Sequence, residues 1–205
     1  DFAHSMPKLL NSVKSTLSWN ESFNEVFILY DEKFPIEDIS LNSNNINEFY
    51  KGSKTFGRYT LSDGYLKITF NDVLFPNRAD NGTRPLSLSY CLNHGIATKG
   101  LEFDARSLVA NTSVKVRRSP PNRILIKNFM ADMNEPNKQT LFRINRNRVD
   151  LDASWLKTTD QDCINTLIFV DDVADINILR AEGRGSENIN NVGTYSVYLY
   201  GAAHI

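Results

Sequence analysis

Three groups of residues in this 205-residue chain have types and spacings that could do chemistry. The first is Cys91 and His94 in "SYCLNHG". A thiol with a nearby imidazole can act as a nucleophile with its base, but such dyads are defined by geometry in space and not by nearness in the chain. If residues 86–92 form a strand, Cys91 points into one face and His94 falls at the turn, so the pair reads as a buried cysteine beside a turn histidine. The second group is Asp171, Asp172 and Asp175 in "FVDDVAD". A calcium loop of the helix–loop–helix kind places oxygen ligands on alternate positions around a glycine turn, and this run does not. It reads as a solvated turn, the alternative being calcium held between the loops of a β-sandwich, and no metal or cofactor is assigned to the chain. A glycosidase needs two carboxylates about 5–10 Å apart in space, which no single sequence displays.

The third group is cationic. Arg117, Arg118, Arg123, Arg143, Arg146 and Arg148 lie close to Phe129 and Phe142. Arginines interleaved with aromatics suit single-stranded nucleic acid or sulfated and sialylated glycans. A sequence pI near 6.4 argues against nucleic acid. Charged positions alternating with apolar ones also describe any half-exposed sheet face. A phosphate-binding P-loop, a G-x-S-x-G elbow and an H-E-x-x-H zinc motif are all missing from the sequence. Aromatic and Asn-rich loops, above all 42–50 with Phe49 and Tyr50, suit a carbohydrate, because rings stack on sugar faces and amides bond sugar hydroxyls.

Net charge is −1, but its distribution is uneven. Residues 115–148 hold nine Lys/Arg against two acids, and residues 150–187 hold nine Asp/Glu against three bases. Adjacent segments of opposite sign pair with each other or with copies of themselves. Two cysteines, Cys91 and Cys163, permit one disulfide without implying it. No apolar run reaches the roughly 20 residues of a membrane helix.

The elements that must position these residues are mostly strands. One stretch has helical spacing: Leu9, Leu10, Val13 and Leu17 over residues 7–17, with Pro7 at the first turn. Residues 1–5 read as the remnant of a cleaved tag before Met6, or the whole chain as a domain cut from a longer one. From "EVFILYD" onward, apolar and aromatic runs alternate with turn residues every eight to fifteen positions. "GRYTLSDGYLKITF" predicts a hairpin, with Gly64 supplying a positive φ. "RPLSLSYCL" sets Leu86, Leu88 and Tyr90 against Ser87, Ser89 and Cys91. Two further hairpins are expected, turning at Pro120-Pro121-Asn122 and near Asn145-Arg146-Asn147. No helices separate the strands and no internal repeat is evident. Parallel sheets usually need helical crossovers, so the expected fold is all-β. It is an antiparallel β-sandwich, a jelly roll being one form, with one short N-terminal helix and a single domain over residues 1–205.

The closing run "GTYSVYLYGAAHI" puts Tyr195, Val197 and Leu199 on one strand face and Tyr198 and Tyr200 on the other. Neither face is made for water, so a second copy or another part of this chain should cover the tyrosines. The function expected is a non-enzymatic recognition or assembly module. It would bind a receptor or surface glycan, form a homo-oligomer through Tyr198 and Tyr200, and work at a virion or extracellular surface. In strand pattern it looks like the β heads of viral or phage fibres, or a structural protein. The alternatives are a glycan hydrolase or lyase on a β scaffold, and a polyanion binder using the arginine hairpins.

Overall fold

The computed structural model describes residues 17–18, 25–42, 46–56, 63–76, 82–104, 106, 112–132, 140–157, 166–184 and 195–205. The described residues are all-β, with a 3-10 turn at Ile46–Glu48. The strands are β1 (Leu17–Ser18), β2 (Glu25–Tyr30), β3 (Ile36–Ile39), β4 (Gly64–Pro76), β5 (Thr83–Asn93), β6 (Ile96–Ala97) and β7 (Thr112–Arg118). They continue as β8 (Ile124–Ile126), β9 (Met130–Asp132), β10 (Thr140–Asn145), β11 (Val149–Lys157), β12 (Thr166–Ala174), β13 (Ile176–Arg184) and β14 (Tyr195–Ala203). Residues 7–16 of the expected helix lie outside the described residues, and Leu17 belongs to β1, paired antiparallel to β2.

The expectation of antiparallel layers holds for one sheet of three. That sheet runs β3-β7-β4-β5-β6, every neighbour antiparallel. In the other two, β2, β10, β12 and β14 run parallel side by side, and β8, β9 and β13 run parallel to β11. The chain alternates between them: β10 in the first, β11 in the second, β12 in the first, β13 in the second, β14 in the first. Each strand of one sheet is therefore the crossover that returns the next parallel strand of the other, and no helix is needed. From β8 onward pairing partners stand 25 to 29 residues apart, from Val149↔Ile124 to Thr166↔Tyr195, whereas β10 pairs with β2 across the whole antiparallel sheet, as in Thr140↔Glu25. This is a structural repeat of stacked coils, each contacting the next, with no repeated sequence motif.

Two expected hairpins are corrected by this arrangement. The Pro120-Pro121-Asn122 turn carries the chain out of the antiparallel sheet (β7) into the coils (β8), and Arg146-Asn147-Arg148 is a corner between the two parallel sheets. The corner depends on one left-handed residue per coil: Arg148 (φ 61°), Asp175 (φ 63°) and His204 (φ 56°). Successive corners bond to each other, Val149 N–H donating to Asp175 O and Ile176 N–H to His204 O. A single residue at positive φ turns the strand direction sharply, so the chain changes sheet instead of folding back on itself.

Stacking puts like residues at equivalent positions. Phe27, Phe142, Ile168 and Val197 are in register, as are Leu29, Ile144, Val170 and Leu199. With Val149, Leu151, Ile176 and Ile126 from the facing sheet, Leu29, Phe142, Ile144, Ile168 and Val170 form one apolar core, and Val197 packs against it. The antiparallel sheet has its own core, where Leu66, Ile68, Phe70, Leu86, Tyr90, Val114 and Val116 meet Phe49, Phe56 and Leu101. The opposite face of that sheet, carrying Tyr65, Lys67, Ser89 and Arg117, turns toward the outer face of the first parallel sheet. The Leu/Ser alternation of β5 is thus met, with Leu86 and Tyr90 buried and Ser87 exposed. Gly64 differs from expectation: it opens β4 at ordinary φ, and a Cβ there would lie 2.6 Å from the Arg117 carbonyl. Close approach of β7, not a turn, demands the glycine. The Tyr59–Leu61 half of that expected hairpin lies outside the described residues.

Candidate functional site

An open groove of about 770 Å³ runs between the polar face of the antiparallel sheet and the last parallel strand. β4 contributes Lys67 and Thr69, β5 the stretch from Arg84 to Ser89, β7 Lys115, and β14 the stretch from Tyr198 to Ala202. The volume lies within the range of small-molecule sites, roughly 300–1,000 Å³. The strand period creates this lining. In β4, positions 65, 67 and 69 share one face while Leu66, Ile68 and Phe70 fill the core behind them. Register then sets Lys67 beside Ser89 and Thr69 beside Ser87, whose hydroxyls bond at 2.9 Å.

Beneath the groove lies a polar cluster that joins the two halves of the fold. Lys67 Nζ donates to Asp172 Oδ1 at 2.8 Å, and the Tyr65 hydroxyl donates to the same oxygen at 3.0 Å. Tyr65 also shares a 3.0 Å hydrogen bond with Ser89. Burial, and after it the Asp172 carboxylate, push the Tyr65 phenol well above its ordinary value, so it stays a donor. Asp172 reaches this point because it sits at φ 48°, out of the regular strand alternation. Next to it in the stack is Gly201 at φ 59°, where a Cβ would lie 2.0 Å from Asp172 Oδ1 and 2.7 Å from Tyr65 Oη. Only glycine leaves room for the cluster.

Tyr198 and Tyr200 stand on the outer face of β14, as the alternation predicts. The Tyr198 ring packs on Phe169 with centroids 5.3 Å apart, and Lys67 Nζ lies 4.4 Å from the Tyr200 centroid. Each ring is thus supported by this chain on one side and exposed on the other, 38% and 49% respectively. The cover at the terminal strand is in part the chain's own antiparallel sheet.

The arginines expected to form a binding patch are placed differently. Arg117 is buried and donates to the Asn145 backbone at 2.6 Å and to its side chain. Arg146 is buried and donates to the carbonyls of Asn122, Asn147 and Arg148. Burial draws both guanidiniums below their ordinary value, while neighbouring carboxylates act in the opposite direction. Arg148 donates to the Pro120 and Pro121 carbonyls and to Asp63. Arg123 pairs with Asp150 at 2.8 Å and Asp175 at 2.5 Å, and Arg143 with Asp171. Only Arg118 of the six is exposed without such a bond given to it among the described residues. The opposite charges of the two segments therefore meet within one chain. The physical reason is the corner, whose carbonyls need donors where strand pairing lapses. Phe49, expected to face a ligand, is fully buried with its ring 5.0 Å from Phe56, while Tyr50 is exposed beneath Arg106. Neither lines the groove.

The other candidates separate in the same way. Asp171, Asp172 and Asp175 pair with Arg143, with Lys67 and with Arg123, so the run does not converge on one point. Cys163 lies outside the described residues. Cys91 is half-buried against Tyr65, Ala174 and Ala203, and burial, then Asp175 and Asp63, push its thiol up to about 11. A thiol this far above neutrality is a poor nucleophile. In a Cys163→Ser variant, Cys91 is expected to alkylate with iodoacetamide about 100-fold more slowly than a free thiol at neutral pH; a rate equal to that of glutathione would contradict the placement.

Residues missed from sequence are Lys67, Thr69, Arg84 and Lys115. Their signal was the polar half of the alternation in β4 and β7, which reads as an ordinary solvated face. Asn147, which the sequence places in a turn, is fully buried, donating to Arg117 O and accepting from Ala174 N–H at 2.8 Å. No known protein family matches the chain, and no curated protein matches it.

Proposed function

We propose that this protein is a recognition module that binds a glycan in the groove between β14 and the antiparallel sheet. One observation carries the reading: the lining combines two half-exposed tyrosine rings with a row of hydroxyls from Thr69, Ser87 and Ser89. Tyrosine faces give apolar area for a sugar ring, and hydroxyls on a rigid sheet exchange hydrogen bonds with sugar hydroxyls. The described lining holds no Asp or Glu, which favours binding over two-carboxylate hydrolysis. Recognition of a receptor glycan at a virion or extracellular surface, as a fibre-head or structural protein, is the setting this activity fits. Assembly into oligomers belongs to the same proposal, through β14, which ends its sheet among the described strands and where Tyr198, Tyr200 and Leu199 are all exposed; sedimentation at several concentrations tests it, and a monomer throughout removes it.

A printed array of neutral and acidic glycans tests the binding reading directly. The protein is expected to retain a restricted set of them, and Tyr200→Ala to weaken the best by at least about tenfold, or about 1.4 kcal/mol. Retention of none, with the protein folded, removes the reading.

A further inference from the structure

We propose that the saccharide in this groove is acidic, with its carboxylate or sulfate groups held by Lys115 and Arg84. The inference rests on the glycan-binding reading and adds the ligand's charge. The described lining contains three cations, Lys67, Arg84 and Lys115, and no anion. Lys67 is already neutralised: it is buried, bonded to Asp172 at 2.8 Å and seated against the Tyr200 ring. The other two are not. Lys115 stands directly opposite Lys67 across the β4–β7 pair, an arrangement of like charges that a sheet disfavours. It pairs with Asp38, its partner in the β3–β7 register, at 3.8 Å; Asp38 is 79% exposed, and such surface pairs contribute little. Arg84 is exposed and forms no ion pair among the described residues.

The groove thus presents Arg84, and Lys115 with the exposed Asp38 opposite it, beside an aromatic and hydroxyl surface that has no charge requirement of its own. An acidic sugar satisfies all three features at once. Its rings lie on the exposed sides of Tyr198 or Tyr200, its hydroxyls meet Thr69, Ser87 and Ser89, and separate anionic groups along it form charge-assisted bonds with Lys115 and with Arg84, which stand two strands apart and five residues apart along β5. A nucleic acid strand would also bring rings and anions, but the chain's net charge of −1 gives no long-range attraction for a polyphosphate.

Tetragalacturonate and its fully methyl-esterified form share one backbone and differ only in charge, and calorimetric titration of the intact protein with each separates the possibilities. The acidic form is expected to bind at least about tenfold more tightly, and to lose that margin as salt rises. The Lys115→Gln/Arg84→Gln double variant should bring the acidic form to the level of the ester. Arg84 is exposed and Lys115 partly exposed, and an unchanged melting transition verifies the fold. Equal binding of the two probes overturns the charge assignment and leaves the glycan reading standing. Binding of neither probe also overturns it, and silence of the whole glycan array removes the underlying reading as well. Tighter binding of an oligothymidylate than of tetragalacturonate overturns the inference in favour of a nucleic acid site.

Discussion

Asp172→Ala is expected to lower folding stability by about 3 kcal/mol, a fall in Tm of about 6–12 °C for a chain of this size. The carboxylate accepts from two buried donors, Lys67 and Tyr65, which come from the antiparallel sheet, whereas Asp172 itself comes from the coils. Its removal strands the Lys67 ammonium with only 9% of its side chain in solvent. The Tyr200 ring 4.4 Å away offers partial compensation, because a cation over an aromatic face is worth about 0.5–2 kcal/mol. Tyr65 loses less, since Ser89 still bonds its hydroxyl. Asp172→Asn keeps an acceptor and should cost about half as much. Adding Lys67→Met to Asp172→Ala removes the stranded charge and should recover most of the loss, a coupling readable by a double-mutant cycle. If Asp172→Ala alone stays within about 1 kcal/mol of the parent, the cluster does not join the two halves energetically.

Phe142→Ala is expected to cost more, about 4 kcal/mol, seen as a lower denaturant midpoint with an unchanged slope. Phe142 lies at the middle of the stacked coils, in register with Phe27 on one side and Ile168 on the other, and is 1% exposed. Its ring meets Phe129 edge-on at 5.2 Å, a geometry worth about 0.5–1.5 kcal/mol beyond the buried area. The surroundings resist collapse into the vacated space, because the strands on both sides are held at fixed spacing by parallel ladders. Phe142→Leu should therefore cost only about 1.5 kcal/mol. A loss below about 1 kcal/mol for the alanine variant would mean the coil core relaxes in a way the stacked register does not allow.

Both substitutions act away from the groove lining, and they affect it differently. Asp172 sits under Lys67 and Tyr200, so its loss should also disturb the ring that the proposed sugar contacts. Phe142 lies on the inner face, among the residues of the coil core, and its loss should leave ligand affinity in the folded fraction intact. That contrast separates support of the site from support of the fold.

The alternation of apolar and polar residues determined much of this protein locally. It placed β5 and β14, assigned Leu86 and Tyr90 to one side and Ser87 to the other, and put Tyr198 and Tyr200 together on the outer face of the last strand. The segregation of basic and acidic segments foretold pairs such as Arg123 with Asp150 and Arg143 with Asp171. Which strands become neighbours was not legible. Period-two alternation is the same in parallel and antiparallel sheets, and the coil spacing of 25 to 29 residues repeats in backbone path without repeating any motif. Tertiary structure alone decided that Arg146-Asn147-Arg148 is a corner instead of a hairpin, because a single left-handed residue redirects the chain while its partners arrive from the next coil. It also decided that Lys67, Lys115, Tyr198 and Tyr200 share one groove. Lys67 and Tyr200 are 133 residues apart in the chain, and only the packing of the antiparallel sheet against the outer face of the coils brings a lysine ammonium beneath that ring.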